Sequence, residues 1–140
     1  EGFKALQKDS TYCGVVPYYI AQILYKQGKY QDVIDFAPTV LACSFVNNEY
    51  DIQHIIGNAY YQLGKFDLAL PYLEKYHQNA RGTRDDYYEF GYAYYKTQQY
   101  DKAIKNFDKV TRVQDSLGHI AMYQIGDAYL KLNKLIPKQF

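Results

Sequence analysis

Tyrosine is the residue type with the most chemistry to offer in this sequence, at 18 of 140 residues, beside 7 Phe and no Trp. A phenol ring buries a large area at low rotamer cost and keeps a hydroxyl for hydrogen bonding, which suits recognition rather than bond breaking. The groups that serve catalysis are few and badly spaced for it. His54, His77 and His119 form no H-x-x-x-H pair and have no cysteine in register, so no metal site is expected. Ser10, Ser44 and Ser116 lie outside any G-x-S-x-G context, and the carboxylates stand among lysines, as Asp101 does with Lys102 and Lys105. Gly118 and Gly126 are followed by no Gly-Lys-Ser/Thr and make no phosphate loop. The expectation is a non-catalytic chain without cofactor or metal.

Composition narrows the class further. With 48% apolar and 22% charged residues the chain is too hydrophobic to stay disordered, and its length suits one packed domain. Sixteen basic against 15 acidic residues leave a net charge of +1, which supplies no electrostatic footprint for nucleic acid or anionic lipid. The longest apolar stretches, such as 20–24, fall far short of the roughly 20 residues that span a bilayer.

The elements that position the tyrosines come from an internal repeat. Gly57-Asn58-Ala59-Tyr60-Tyr61 matches Gly91-Tyr92-Ala93-Tyr94-Tyr95, with Gly126-Asp127-Ala128-Tyr129 and Ala21-Gln22-Ile23-Leu24-Tyr25 as further copies. The small anchors Ala21, Gly57, Gly91 and Gly126 are 36, 34 and 35 residues apart. Each copy splits into two apolar-periodic halves at a short polar break: 27–29, 63–65, 97–99 and 132–134. Gly or Asn there suits a helix end whose next residue goes left-handed. Tyr87, Phe90 and Tyr94, then Ala103, Ile104, Phe107 and Val110, step by three and four along one face. Helices are expected over 14–27, 31–43, 49–63, 67–79, 84–97, 101–113 and 118–132, with no strand. Pro38 is expected to kink or break its helix, while Pro71, near a first turn, and Pro137, after a break, are tolerable. Cys13 and Cys43 come to the same end of one helix pair. A disulfide needs Cα atoms within about 7 Å, so two reduced thiols are expected from helices roughly 8–10 Å apart.

These residues resemble the tetratricopeptide repeat family. The resemblance rests on the small anchors, on the large residues Leu24, Tyr60, Tyr94 and Tyr129, and on the turn aromatics Tyr30, Phe66 and Tyr100 with Leu135 in the fourth copy. The second-helix residues Val33, Ala69 and Ala103, then Leu73 and Phe107, complete it. The family's early Trp is replaced by Pro17, Gln53, Tyr87 and Met122, and its Pro between repeats is missing. The resemblance implies an all-α solenoid of antiparallel helix pairs in a right-handed superhelix. Repeats then fall at 14–47, 50–83 and 84–117, with a partial one at 119–140 and the end of a preceding helix at 1–12. Without polar caps at its ends, the chain reads as a fragment of a longer bacterial protein that continues on both sides, and the isolated fragment is expected to stack end to end.

In that family the first helices line a concave face, looked into by the residues three before the anchor and one, four and five after it. Carried over, the groove is Tyr18, Gln22, Tyr25 and Lys26; His54, Asn58, Tyr61 and Gln62; Tyr88, Tyr92, Tyr95 and Lys96; Tyr123, Asp127, Leu130 and Lys131. Tyr88 and Tyr92, four apart on one face, stand out as anchors. Tyr25, Tyr61 and Tyr95 are expected to pack partly between neighbouring helices. Family members that clamp a peptide carboxylate use Lys and Asn or Arg at these positions. Only Asn58 fits here, so a carboxylate clamp is not expected. The expected partner is a protein or peptide and not nucleic acid. A structural spacer that contacts through its ends or convex face is the alternative, and glycan or RNA binding stands further off. Composition resembles envelope-associated bacterial repeat proteins, which tilts the expected compartment toward the periplasm.

The second-helix small residues set how closely each helix pair can approach. Ala103→Leu is expected to overpack and to cost about 1–3 kcal/mol, read as a lower urea midpoint at unchanged slope.

Overall fold

The computed structural model describes residues 16–42, 49–79 and 82–135. Among these there are seven helices and no strand: α1 (Val16–Lys26), α2 (Tyr30–Ala42), α3 (Glu49–Gln62), α4 (Phe66–Asn79), α5 (Arg84–Lys96), α6 (Tyr100–Asp108) and α7 (Ser116–Leu135). None of them is long and apolar enough to cross a membrane. Contacts divide the chain into two compact units, Glu1–Ala80 with α1 to α4 and Arg81–Phe140 with α5 to α7. Cys13, Cys43, Pro137 and the end segments 1–12 and 136–140 lie outside the described residues.

The first unit pairs α1 with α2 and α3 with α4, and sets the first helices α1 and α3 against each other. Its core is Ala21, Ala37, Val40, Ile52 and Ile56, ringed by Tyr18, Phe36, Tyr60 and Tyr72. Close approach within the second pair depends on Gly57, where a Cβ would lie 2.8 Å from Leu73 Cδ2. In the other unit α5 pairs with α6, α6 with α7, and α5 also touches α7. There Gly91 plays the same part, a Cβ standing 3.0 Å from the Phe107 ring, and Ala93, Ala103 and Phe107 are fully buried.

Three of the four polar breaks fold alike. The amides of Gly28 and Lys29 donate to the carbonyls of Tyr25 and Leu24, those of Gly64 and Lys65 to Tyr61 and Tyr60, and those of Gln98 and Gln99 to Tyr95 and Tyr94. This pair of bonds closes the helix end through one left-handed residue. Gly28 and Gly64 take it at φ 75° and 76°, and Gln98 is forced into it at 65°. Each turn is backed by an aromatic pair, Tyr25 edge-on to Tyr30, Tyr61 to Phe66 and Tyr95 to Tyr100, at 5.3, 5.4 and 5.5 Å. The fourth break does not form, and α7 runs on through Asn133 to Leu135. Leu130 and Leu135 replace the aromatic pair there, and Asn fits a helix as well as a left-handed turn.

Other departures have equally local causes. Pro38 does not break α2, which continues to Ala42. The proline is exposed, so its ring lies clear of the core. Pro71 is the sixth residue of α4 rather than a first-turn residue, and is exposed too. The α6 helix ends at Asp108 and not 113, in i to i+3 bonds at Lys109 and Val110 and a Thr111 hydroxyl bond to the Asp108 carbonyl. Tyr129, expected to fill a groove as Tyr60 and Tyr94 do, is 53% exposed because no described helix covers that side of α7.

Two polar devices fix helix ends in the second unit. Thr83 caps α5, its hydroxyl accepting from the Asp86 amide while the Asp86 carboxylate accepts from the Thr83 amide. Arg84 then reaches the α6–α7 turn, donating to both oxygens of Asp115 at 2.7 and 2.9 Å and to the Val110 carbonyl at 2.8 Å. Asp115 also accepts from the Gly118 amide, and so starts α7. This carboxylate pairs with arginine, whereas lysine partners were expected. The Arg84 bond, and after it the Gly118 amide, hold its carboxyl well below the usual range.

Gln98→Gly relieves a left-handed glutamine and is expected to stabilise the chain by about 1 kcal/mol, while Gly64→Ala costs a similar amount. Paired urea melts check both signs. Since folding lowers the Asp115 pKa, the stability it contributes is present above the unfolded value of about 4 and lost as pH falls below it. The stability gap between wild type and Asp115→Asn is therefore expected to narrow from pH 7 to pH 2.

Candidate functional site

The predicted groove residues fall on first helices, α1 and α3 in one unit and α5 and α7 in the other. In the first unit Tyr18 and Gln22 sit one turn apart on α1, where the Gln22 amide donates to the Tyr18 hydroxyl at 2.9 Å. Burial first, and then the Asp51 carboxylate, push the Tyr18 phenol up. Tyr25 is taken up by its turn partner Tyr30. On α3, His54 lies flat on Tyr76, ring centroids 4.0 Å apart at 7°, and its Nε2 is 2.9 Å from Asn58 Nδ2. Asn58 is only 7% exposed. His54 and Asn58 thus stitch α3 to α4, and Tyr61 packs on Phe66. Tyr18 and Gln22 are half-buried, and Lys26 and Gln62, the remaining two of this unit's set, are exposed.

The second unit is better furnished. Tyr88 and Tyr92 stack on α5 with centroids 6.1 Å apart at 14°. Tyr88 also leans on Phe107 at 5.4 Å. Burial raises its phenol pKa, against a lowering hydrogen bond from Gln124 of α7. The Lys96 ammonium stands 5.6 Å over the Tyr92 ring. Tyr123 on α7 is 74% exposed and borders a hollow of about 330 Å³ with Met122, Gly126, Asp127 and Leu130.

Tyr95 is tied down at both ends. Its ring packs on Tyr100, and its hydroxyl donates to the Asp127 carboxylate while accepting from the Lys131 ammonium. Lys131 in turn pairs with Asp127 at 3.2 Å. The Asp127 bond is the larger influence and raises the Tyr95 phenol pKa, with Lys131 opposing it. Lys131 is itself raised, by Tyr95 first and Asp127 second. The i,i+4 spacing of Asp127 and Lys131 signals their pairing, and the anchor offsets place Tyr95 opposite them. Gln124 lies outside those offsets and has no comparable signal.

Together α5 and α7 present stacked phenols, a cation over one of them and a neutralised acid–base pair. Among the described residues no group of three or more His, Cys, Asp or Glu side chains is gathered to hold a metal.

Comparison with known proteins bears on this arrangement. Two profiles described as tetratricopeptide repeat match residues 88–135 and 50–76, together just over half of the chain. The crystal structure of YrrB, a TPR protein with an unusual peptide-binding site, aligns at TM-score 0.74 and 25% identity over 93% of this chain. This chain spans 65% of the YrrB chain. MamA from Desulfovibrio magneticus RS-1 aligns at TM-score 0.62 and 23% identity, covering 85% of this chain and 71% of that one. MamA AMB-1 aligns at 0.61 and 21%, covering 86% and 77%. These two share the fold. None of the curated proteins is a significant match. With its small anchors, left-handed turns and paired helices, the chain belongs to the tetratricopeptide repeat family, whose helical repeats build scaffolds for protein–protein interaction.

Proposed function

We propose that the chain is a non-catalytic protein-interaction module that holds a partner peptide against the tyrosines of its first helices. The observation that carries this reading is the stacked pair Tyr88 and Tyr92 with Lys96 over the second ring and Tyr123 standing exposed on the neighbouring α7. Rigid phenols with few rotamers to freeze, beside a polar rim, have the composition of binding hot spots. The likeness to YrrB, described as carrying a peptide-binding site, supports it.

A second reading is favoured by the apolar residues that α7 leaves exposed. Ile120, Met122 and Tyr129 are 48%, 56% and 53% exposed, and a Cβ at Gly126 meets nothing within 4 Å among the described residues. The equivalent glycines 57 and 91 are covered by Leu73 and Phe107. Here the chain acts as a scaffold element that assembles with copies of itself.

Capture from extract of the source cells separates the two. Tyr92→Ala with Tyr123→Ala is expected to keep helicity and to lose a discrete captured protein by tenfold or more, as truncation of hot-spot residues does at about 2 kcal/mol or above. Tyr129→Asp is expected to leave capture intact. The opposite pattern, with self-association abolished by Tyr129→Asp, favours the scaffold reading.

A further inference from the structure

One anchor lacks the cover that the others have. Met122, Gly126 and Tyr129 of α7 are all exposed, whereas the residues at the same places about Ala21, Gly57 and Gly91 are buried or half-buried. In the two middle repeats the cover is a large side chain of the second helix. A Cβ at Gly57 would meet Leu73, 16 residues on, and one at Gly91 would meet Phe107, again 16 on. Three residues further, Tyr76 and Val110 are buried as well, at 8% and 0% exposed. A large apolar residue with another three behind it therefore closes each of these anchors. The place 16 after Gly126 falls outside the 140 residues, and a Cβ at Gly126 meets nothing within 4 Å among the described residues.

The missing half of the pattern occurs elsewhere in the sequence. Phe3 and Leu6 precede Ala21 by 18 and 15 residues, the separations at which Leu73 and Tyr76 precede Gly91. They thus hold the register of a closing pair, and within the 140 residues no anchor stands 16 places before Phe3. The receiving surface has room for the ring. Gly126 borders a hollow of about 330 Å³ with Met122 and Leu130, more than the roughly 150 Å³ that holds a benzene molecule. Tyr129, three residues on, adds exposed apolar area beside it.

We propose that Phe3 of a second copy of this chain seats on Gly126, with Leu6 behind it, as Leu73 and Tyr76 close Gly57. The contact rests on the scaffold reading and names the two surfaces that meet. Because those surfaces differ, the association is heterologous, and copies add one to the next in a ring or an open chain.

Sedimentation velocity on the 140-residue chain, from about 1 μM to about 1 mM, is expected to show a mass above the monomer that rises with concentration. Phe3→Ala removes the ring. Gly126→Leu fills the seat, and it favours the helix by replacing an exposed helical glycine. Each is expected to weaken association at least about tenfold with the circular dichroism spectrum unchanged. Since one variant keeps the seat and the other keeps the phenylalanine, their equimolar mixture is expected to form a 1:1 dimer that grows no further. A wild type that stays monomeric throughout overturns this contact and the scaffold reading together. Association that Phe3→Ala leaves unchanged, or a mixture that stays monomeric, overturns the seating of Phe3 on Gly126 and leaves the scaffold reading standing.

Discussion

Two glycines hold the helix pairs at the distance from which everything else follows. A single Cβ at Gly57 would meet Leu73 at 2.8 Å and one at Gly91 would meet Phe107 at 3.0 Å, so the large residue of each second helix seats directly on the backbone of the first. Because interiors are packed to near-crystalline density, that contact fixes the rotation of both helices as well as their spacing. Tyr88 and Tyr92, three before and one after Gly91, then stack on one another along α5, while His54 and Asn58, at the same places about Gly57, turn to Tyr76 of α4 and into the interior.

Tyrosine therefore has three separate duties in this chain. Tyr25, Tyr61 and Tyr95 brace the left-handed turns, edge-on to Tyr30, Phe66 and Tyr100. Tyr76 and Tyr94 are buried, where Tyr76 stacks on His54 and Tyr94 on Phe90. The third set, Tyr92 and Tyr123 above all, keeps its rings accessible. An aromatic-rich composition thus serves the fold and, in the proposed function, recognition as well.

The anchors and the breaks were legible because they obey backbone rules: small residues where helices touch, and glycine where φ is positive. Seven helices follow from them with most ends within two residues. What escaped depends on longer-range partners. Asn133 satisfies the local rule for a break, yet the turn needs an aromatic pair that Leu130 and Leu135 do not make. Pro38 disobeys the local rule for a helix, yet it sits exposed within α2, which runs on to Ala42. Arg84 and Asp115 lie 31 residues apart, and no periodicity connects them. At the candidate site the anchor offsets found the stacked Tyr88 and Tyr92. They could not tell that Asn58 is buried beside His54, since burial depends on how the second helix comes down over the first.

In the proposed function, rings on one side of the first helices meet a partner while rings exposed elsewhere do not. Tyrosine nitration with peptide mapping, carried out on the free chain and on the chain with a captured partner bound, tests it at each ring. Protection is predicted at Tyr92 and Tyr123, with Tyr19 and Tyr129, 57% and 53% exposed, nitrated alike in both states. Protection confined to Tyr19 or Tyr129, with Tyr92 and Tyr123 as reactive as before, would contradict it.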